Sequence, residues 1–210
     1  MSRYIGPVCR LCRREGIKLL LKGTRCETAK CPMEKQWRSN PPGMHAWRRS
    51  KGSNYAVRLR EKQKVKRYYG LFEKQFMLYF RLAERSKENT GTALLSLLER
   101  RLDNVLWKSN LAPSRKAGRV MITQGHVYVN GRKVDRPGYL ISQGDRVSIK
   151  PSERSQKLAK AHLAMVENRP IQPWLSLDPE KLEVTIVQLP SRDDVQIPVE
   201  ENLIVEMCSR

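Results

Sequence analysis

No apolar run approaches the roughly 20 residues needed to cross a bilayer, and the longest leucine clusters are broken by Lys, Ser or Glu. The opening Met1-Ser-Arg-Tyr-Ile-Gly-Pro7 lacks the apolar stretch of a secretory signal, so a soluble, cytoplasmic protein is expected. Aromatic residues are few, at 7% with three Phe. No Gly-rich phosphate loop or nucleophile elbow occurs, and Asp193-Asp194 lies in a Pro-flanked polar turn that reads as solvated loop. Negative charge is scarce as well. Over 210 residues, 21 Asp and Glu face 41 Lys and Arg, a net of +20. A basic surface serving only solubility needs a net charge of about 2–8 in a small domain, so that explanation is inadequate.

The excess is unevenly placed. Residues 1–52 hold 13 basic and 3 acidic side chains, 53–90 hold 10 and 4, and 91–150 hold 11 and 4. Residues 151–210 reverse the sign, with 7 basic and 10 acidic. Charge of this size opposes compaction unless an anion neutralises it. Nucleic acid does so best, because each neutralised phosphate releases condensed counterions. An anionic membrane would call for a basic amphipathic helix with an aromatic lipid-facing stripe, and none is evident.

Cysteines are sparse but patterned. Two residues separate Cys9 from Cys12, thirteen separate Cys12 from Cys26, and four separate Cys26 from Cys31. Paired knuckles around such a loop can bring four thiolates to one tetrahedral zinc ion. Two disulfides or four free thiols are the alternatives, and a cytosolic chain disfavours the first. Residues 1–45 contain few bulky apolar groups, so a metal crosslink would supply order that a small core cannot. Arg10, Arg13, Arg14 and Lys30 would favour the thiolates. Four sulfur ligands leave no open position for water, so such a zinc is structural. Cys208 reads as a lone packing residue.

Residues 32–52 read as a loop, broken by Pro32, Pro41, Pro42, Gly43 and Gly52 and carrying Trp37, His45, Trp47, Arg48, Arg49 and Lys51. Interleaved aromatics and arginines suit stacking on bases and holding phosphates, although Trp47 could equally anchor a following domain. From Tyr55 the period becomes helical. Phe72, Phe76 and Phe80 form an apolar stripe, and Gly70 is expected to join two helices. Six cations from Arg58 to Arg67 precede that stripe, with only Glu61 among them.

Residues 91–150 carry the most specific pattern. Leu94, Leu95, Leu98, Leu102, Val105 and Leu106 are expected on one helical face, with Glu99, Arg100, Asp103 and Asn104 elsewhere. After Asn110-Leu-Ala-Pro113, Ser114 is a good N-cap for a helix bearing Arg115, Lys116 and Arg119. Free N–H groups and a positive dipole end beside those cations make a phosphate site. Gly125 can end that helix. His126-Val-Tyr-Val129 alternates as a strand, Asn130-Gly131 makes a tight hairpin, and Arg132-Lys-Val134 returns. Residues 154–168 suggest a helix, and Val184-Thr-Ile-Val187 a strand.

The runs Leu-Leu-Glu-Arg-Arg-Leu-Asp-Asn-Val-Leu (97–106), Leu-Ala-Pro-Ser-Arg (111–115) and Gly-His-Val-Tyr-Val-Asn-Gly-Arg-Lys-Val (125–134) resemble the αL RNA-binding motif. Beyond it, Arg3-Tyr-Ile-Gly-Pro7, Leu59-Arg-Glu-Lys-Gln-Lys-Val-Lys66 and Asn202-Leu-Ile-Val-Glu206 with Ser209-Arg210 are similar to signatures of the bacterial small-subunit ribosomal protein S4 family. The four-cysteine start resembles the zinc-bearing branch of that family. Gly118 and Ala117 depart from a strong helix start, one by low propensity and the other by lacking a capping-box carboxylate.

The resemblance implies a primary binder of small-subunit rRNA that nucleates assembly of the subunit body, with one structural Zn2+ on Cys9, Cys12, Cys26 and Cys31. Candidate rRNA contacts are Arg3, Tyr4, Arg10, Arg13, Arg14, Arg58, Lys62, Lys66, Arg115, Lys116, Arg119, His126, Asn130, Arg132 and Lys133. Arg48, Arg49 and Lys51 would border the channel through which mRNA enters. The acidic C-terminal part would meet neighbouring proteins, especially the fifth of the small subunit, at an interface that influences translational accuracy. The expected architecture is α+β. A zinc-ordered extension (1–45) leads to a mostly helical domain (46–92, with 198–210 a candidate to complete it). An αL domain (93–197) then sets two helices against a small, mainly antiparallel sheet. An RNA-modifying enzyme would need a catalytic domain that no segment is long or apolar enough to supply. A free-standing RNA chaperone or ribosome-associated factor is the other alternative.

Overall fold

The computed structural model describes residues 4–46, 52–166 and 169–209. It is α+β, and the chain separates into two compact units, residues 1–94 with 196–210, and residues 95–195. Among the described residues the α-helices are α1 (Cys9–Glu15), α2 (Asn54–Tyr68), α3 (Glu73–Glu84), α4 (Thr90–Glu99), α5 (Leu102–Lys108), α6 (Arg115–Thr123), α7 (Glu153–Met165) and α8 (Glu201–Cys208). The strands are β1 (Val127–Val129), β2 (Arg132–Lys133), β3 (Arg146–Ile149), β4 (Leu175–Asp178) and β5 (Glu183–Ile186). No helix among the described residues is long and apolar enough to cross a membrane.

In the first unit, Ser53 caps α2 by accepting a hydrogen bond from Ala56 N–H at 3.3 Å. Gly70 (φ +66) closes that helix, with Leu71 N–H donating to Lys66 C=O at 2.8 Å, and the chain turns into α3. Phe76, Tyr79, Phe80 and Ala83 bury one face of α3, while α8 packs along α2. The expected stripe is one turn shorter than the sequence suggested. Phe72 stands at the N-cap of α3, where it is exposed.

The second unit is built on a five-stranded antiparallel sheet in the order β2-β1-β3-β5-β4. Val127 pairs with Ile149 and Val129 with Val147, so these four side chains share the core face while Tyr128 and Ser148 share the other. Leu106, Met121, Ile122, Trp174 and Val184 fill the space between helices and sheet.

The helix expected across residues 94–106 is instead two. Arg101 takes an extended conformation (φ −66, ψ 135) and bridges Leu140. Leu102 N–H donates to Tyr139 C=O at 2.9 Å, and Asp103 N–H to Pro137 C=O at 3.2 Å. Of the polar residues expected off the apolar face, Glu99, Asp103 and Asn104 are buried, at 0, 2 and 0% exposure, and only Arg100 is half-buried; Arg101 is buried with them, at 0%. They tolerate burial because they satisfy one another. The Arg101 guanidinium makes a bidentate pair with Asp103 at 3.1 and 2.7 Å. Asn104 Nδ2 donates to Glu99 C=O at 3.0 Å.

Gly118 is explained by packing rather than propensity. A Cβ there would stand 3.1 Å from Asp103 C=O and 3.3 Å from Leu106 Cβ, so glycine lets α6 lie close against α5. Gly118→Ala is expected to destabilise the second unit by about 1 kcal/mol, because overpacking against a backbone carbonyl outweighs the gain in helix propensity. Urea unfolding checks this, and a stabilised variant would show that the contact yields.

Candidate nucleic-acid interface

The N-terminus of α6 forms as the sequence suggests, with Ser114 Oγ accepting from Ala117 N–H at 3.2 Å. The three cations there diverge. Lys116 is exposed and Arg119 half-buried, its guanidinium 4.0 Å from Asp103. Arg115, expected to hold phosphate, is packed inward at 7% exposure. Its Nε donates to Asn104 Oδ1 at 2.7 Å, and its guanidinium carbon lies 3.8 Å from the centre of the Trp107 ring. Stacking on a buried indole positions this cation to support α5 rather than to meet solvent. Lys108 and Arg169 also approach that ring, at 5.6 and 5.1 Å. Burial drives Lys108 down to about 8, with Arg115 and Arg169 lowering it further and Glu99 and Asp194 opposing the fall.

Across from α6, Asn130 and Gly131 both take positive φ (+49 and +75), the geometry of a two-residue type I′ hairpin. Arg132 and Lys133 are thereby exposed. Lys133 passes over Gly125, where a Cβ would lie only 2.6 Å from Lys133 Cε, so the hairpin cation rests on the corner between α6 and β1. Asn130 has a different role from the expected one. Its Nδ2 donates to Asp145 Oδ1 at 2.8 Å and its Oδ1 accepts from Arg146 N–H at 2.9 Å, so the amide pins the hairpin to β3. The same pairing brings the exposed Arg146 opposite the hairpin, a cation the motif reading missed. Its signal was Arg-Val-Ser-Ile, whose alternation turns Arg146 and Ser148 away from buried Val147 and Ile149. His126 is half-buried, and its Nδ1 lies 2.8 Å from Ser155 Oγ.

The α2 cations are less available than expected, because carboxylates distant in sequence fold onto them. Lys62 and Lys66 both pair with Glu73, Lys66 at 2.8 Å, and Arg58 pairs with Glu206 of α8 at 2.6 Å. Burial raises the Glu73 carboxyl, but hydrogen bonds from Lys62 and Lys66 outweigh it and hold the group below its ordinary value. Arg67 and Arg60 both meet Glu15 of α1, whose side chain is almost fully covered. This ties the cysteine-bearing segment to α2.

In that segment Tyr4, Arg10 and Arg14 are exposed and Arg13 half-buried. Arg13 Nε donates to Asn40 C=O at 2.8 Å, and Arg14 to Pro42 C=O at 3.2 Å, clipping the loop to α1. Cys12, Cys26 and Cys31 are buried and Cys9 half-buried. Burial raises the Cys12 thiol, and Cys26, Cys9 and Cys31 raise it further; burial likewise raises Cys26, with Cys31 and Cys9 adding to it. Lys22 N–H donates to Cys26 Sγ at 3.3 Å, a contact that favours thiolate. Among the described residues, no group of three or more His, Cys, Asp or Glu side chains is drawn into a metal-holding cluster. Arg3, Arg48, Arg49 and Lys51, named from the sequence, lie outside the described residues.

Two family models match this chain. Residues 3–99 match the ribosomal protein S4/S9 N-terminal domain, and residues 100–147, which hold α5, α6 and the hairpin, match the S4 domain. The chain belongs to the ribosomal protein S4 family. It is 51% identical over 210 residues to the small ribosomal subunit protein uS4A of Symbiobacterium thermophilum, with both chains covered completely. It is 52% identical over 210 residues to uS4 of Halothermothrix orenii, and 48% over 211 residues to uS4 of Thermus thermophilus, again across the full length of each. The resemblance read from residues 97–134 is thus confirmed at the level of the family, and membership removes the RNA-modifying enzyme from consideration.

Proposed function

We propose that this chain is a structural, non-catalytic protein of the small ribosomal subunit in the cytoplasm, and that it binds rRNA through its S4 domain. The observation that carries this reading is the cationic rim of exposed side chains on the S4 domain, Lys116 on α6 and Arg132, Lys133 and Arg146 at the β1–β2 hairpin, with Arg119 partly covered beside Asp103. RNA helices offer phosphates and 2′-hydroxyls more readily than base edges, so this rim reads shape and backbone. Lys116→Ala with Arg119→Ala should weaken binding to small-subunit rRNA and reduce the dependence of log K on log salt by about one to two. An unchanged slope in filter binding would exclude this face as the footprint. High-salt sedimentation separates a subunit component, which stays with the particle, from an accessory factor, which is released.

The finer reading extends the same chemistry. Early binding to rRNA would nucleate the subunit body, and Arg48, Arg49 and Lys51 would contact mRNA where it enters. The acidic C-terminal part, net −3 over residues 151–210, would turn to a neighbouring ribosomal protein, the fifth, and so influence decoding accuracy. Crosslinking with mass spectrometry tests these neighbours directly.

Cys9, Cys12, Cys26 and Cys31 would hold one structural zinc ion. Support comes from their spacing and from the backbone donor on Cys26. The ion would crosslink α1 to the turns around Cys26 and Cys31.

A further inference from the structure

We infer that Trp37 is a stacking platform for one unpaired RNA base. This rests on the rRNA-binding reading above and adds to it a contact with a base face rather than a phosphate. Trp174 and Trp107 are buried at 0% and 1% exposure, whereas Trp37 is 68% exposed and serves no core. The guanidinium carbon of Arg38 sits 4.2 Å from the ring centre, so a cation lies over one face of an indole that is otherwise largely accessible. The backbone beneath is fixed by successive turns. Glu34 N–H donates to Cys31 C=O at 3.1 Å, and Arg38 N–H to Lys35 C=O at 2.9 Å. Beyond Trp37, the loop is clipped through Asn40 and Pro42 to Arg13 and Arg14. A large aromatic is therefore held on hydrogen-bonded turns, in a segment where residues 1–52 carry a net of +10.

The neighbours select the occupant. A protein partner would be expected to bury Trp37 among further apolar side chains, but here Lys35, Arg38 and Asn40 flank it, all exposed. Cations beside a bare indole suit a polyanion with π-faced bases. Every base has such a face, so the platform tolerates sequence but requires the base to be unstacked from a helix.

The test compares the full-length chain with Trp37→Ala and Trp37→Phe in equilibrium binding to a small-subunit rRNA transcript across a salt series. Trp37→Ala should weaken binding roughly 5- to 100-fold, the range for losing one base stack. Trp37→Phe should retain most of the affinity. Neither should alter the salt slope, since no phosphate contact is lost. An unchanged thermal midpoint verifies folding. Wild-type affinity in Trp37→Ala, while Lys116→Ala with Arg119→Ala still lowers the slope, would overturn the platform and leave the rRNA reading intact. Equal weakening by Ala and Phe, or a changed slope, would also overturn it. No binding by the wild-type chain would overturn the rRNA reading and the platform together.

Discussion

Asp103→Ala should lower the unfolding free energy of the second unit by about 3–5 kcal/mol, the cost of leaving one partner of a buried ion pair behind. Arg101 is fully buried, and Asp103 meets it with both carboxylate oxygens, at 3.1 and 2.7 Å. Arg119 approaches the same carboxylate at 4.0 Å, so its loss places two cations near each other without their shared anion. Arg101 also holds the break between α4 and α5, where its extended backbone bridges Leu140. The local strain of a buried guanidinium that has lost its carboxylate would therefore reach the helix junction that orients α5 and α6. Replacing both partners, Arg101→Met with Asp103→Leu, should cost far less, because no charge then remains to be solvated. Urea denaturation separates the two results. A loss below about 1 kcal/mol in Asp103→Ala would mean that water or another carboxylate reaches Arg101 on relaxation.

If Cys9, Cys12, Cys26 and Cys31 hold the proposed zinc ion, removing it should have the largest effect on the first unit. Structural four-ligand sites in small domains bind with an apparent energy of about 10–16 kcal/mol, most of which appears as folding energy. The segment 4–46 buries few large apolar side chains, Leu19 among them, so little else opposes its unfolding. Chelation should make this segment protease-sensitive while the melting of the second unit stays unchanged. Purified protein should carry about one zinc per chain, and Cys12→Ser should reproduce the protease sensitivity without chelator. Metal-free protein that resists protease as well as the loaded form would refute the four-thiolate site. The Glu15 contacts with Arg67 and Arg60 would then be the tie that holds α1 to α2.

Several features were legible because their causes are local. Ser114 and Asn130-Gly131 announce a cap and a hairpin through properties of one or two residues, and both form. Gly70 is likewise a turn wherever it falls between two helical patterns. The β4–β5 pair was half hidden, because the chain enters β5 through Leu182 at φ +53 rather than through a glycine. A leucine tolerates that backbone here because its side chain is buried, a reward that no local rule displays.

Residue order alone thus sufficed for the fold class, the RNA-binding motif, the asymmetry of charge and the family, since periodicity, caps and turn residues act over a few positions. Which cations face outward was settled by packing. Arg115 and Lys62 lie in basic runs indistinguishable from those of Lys116 and Arg132, yet one stacks on Trp107 and the other pairs with Glu73. Their partners lie 8 and 11 residues away, brought into reach only once helices meet, and a charge is spent on whichever neighbour the fold delivers first.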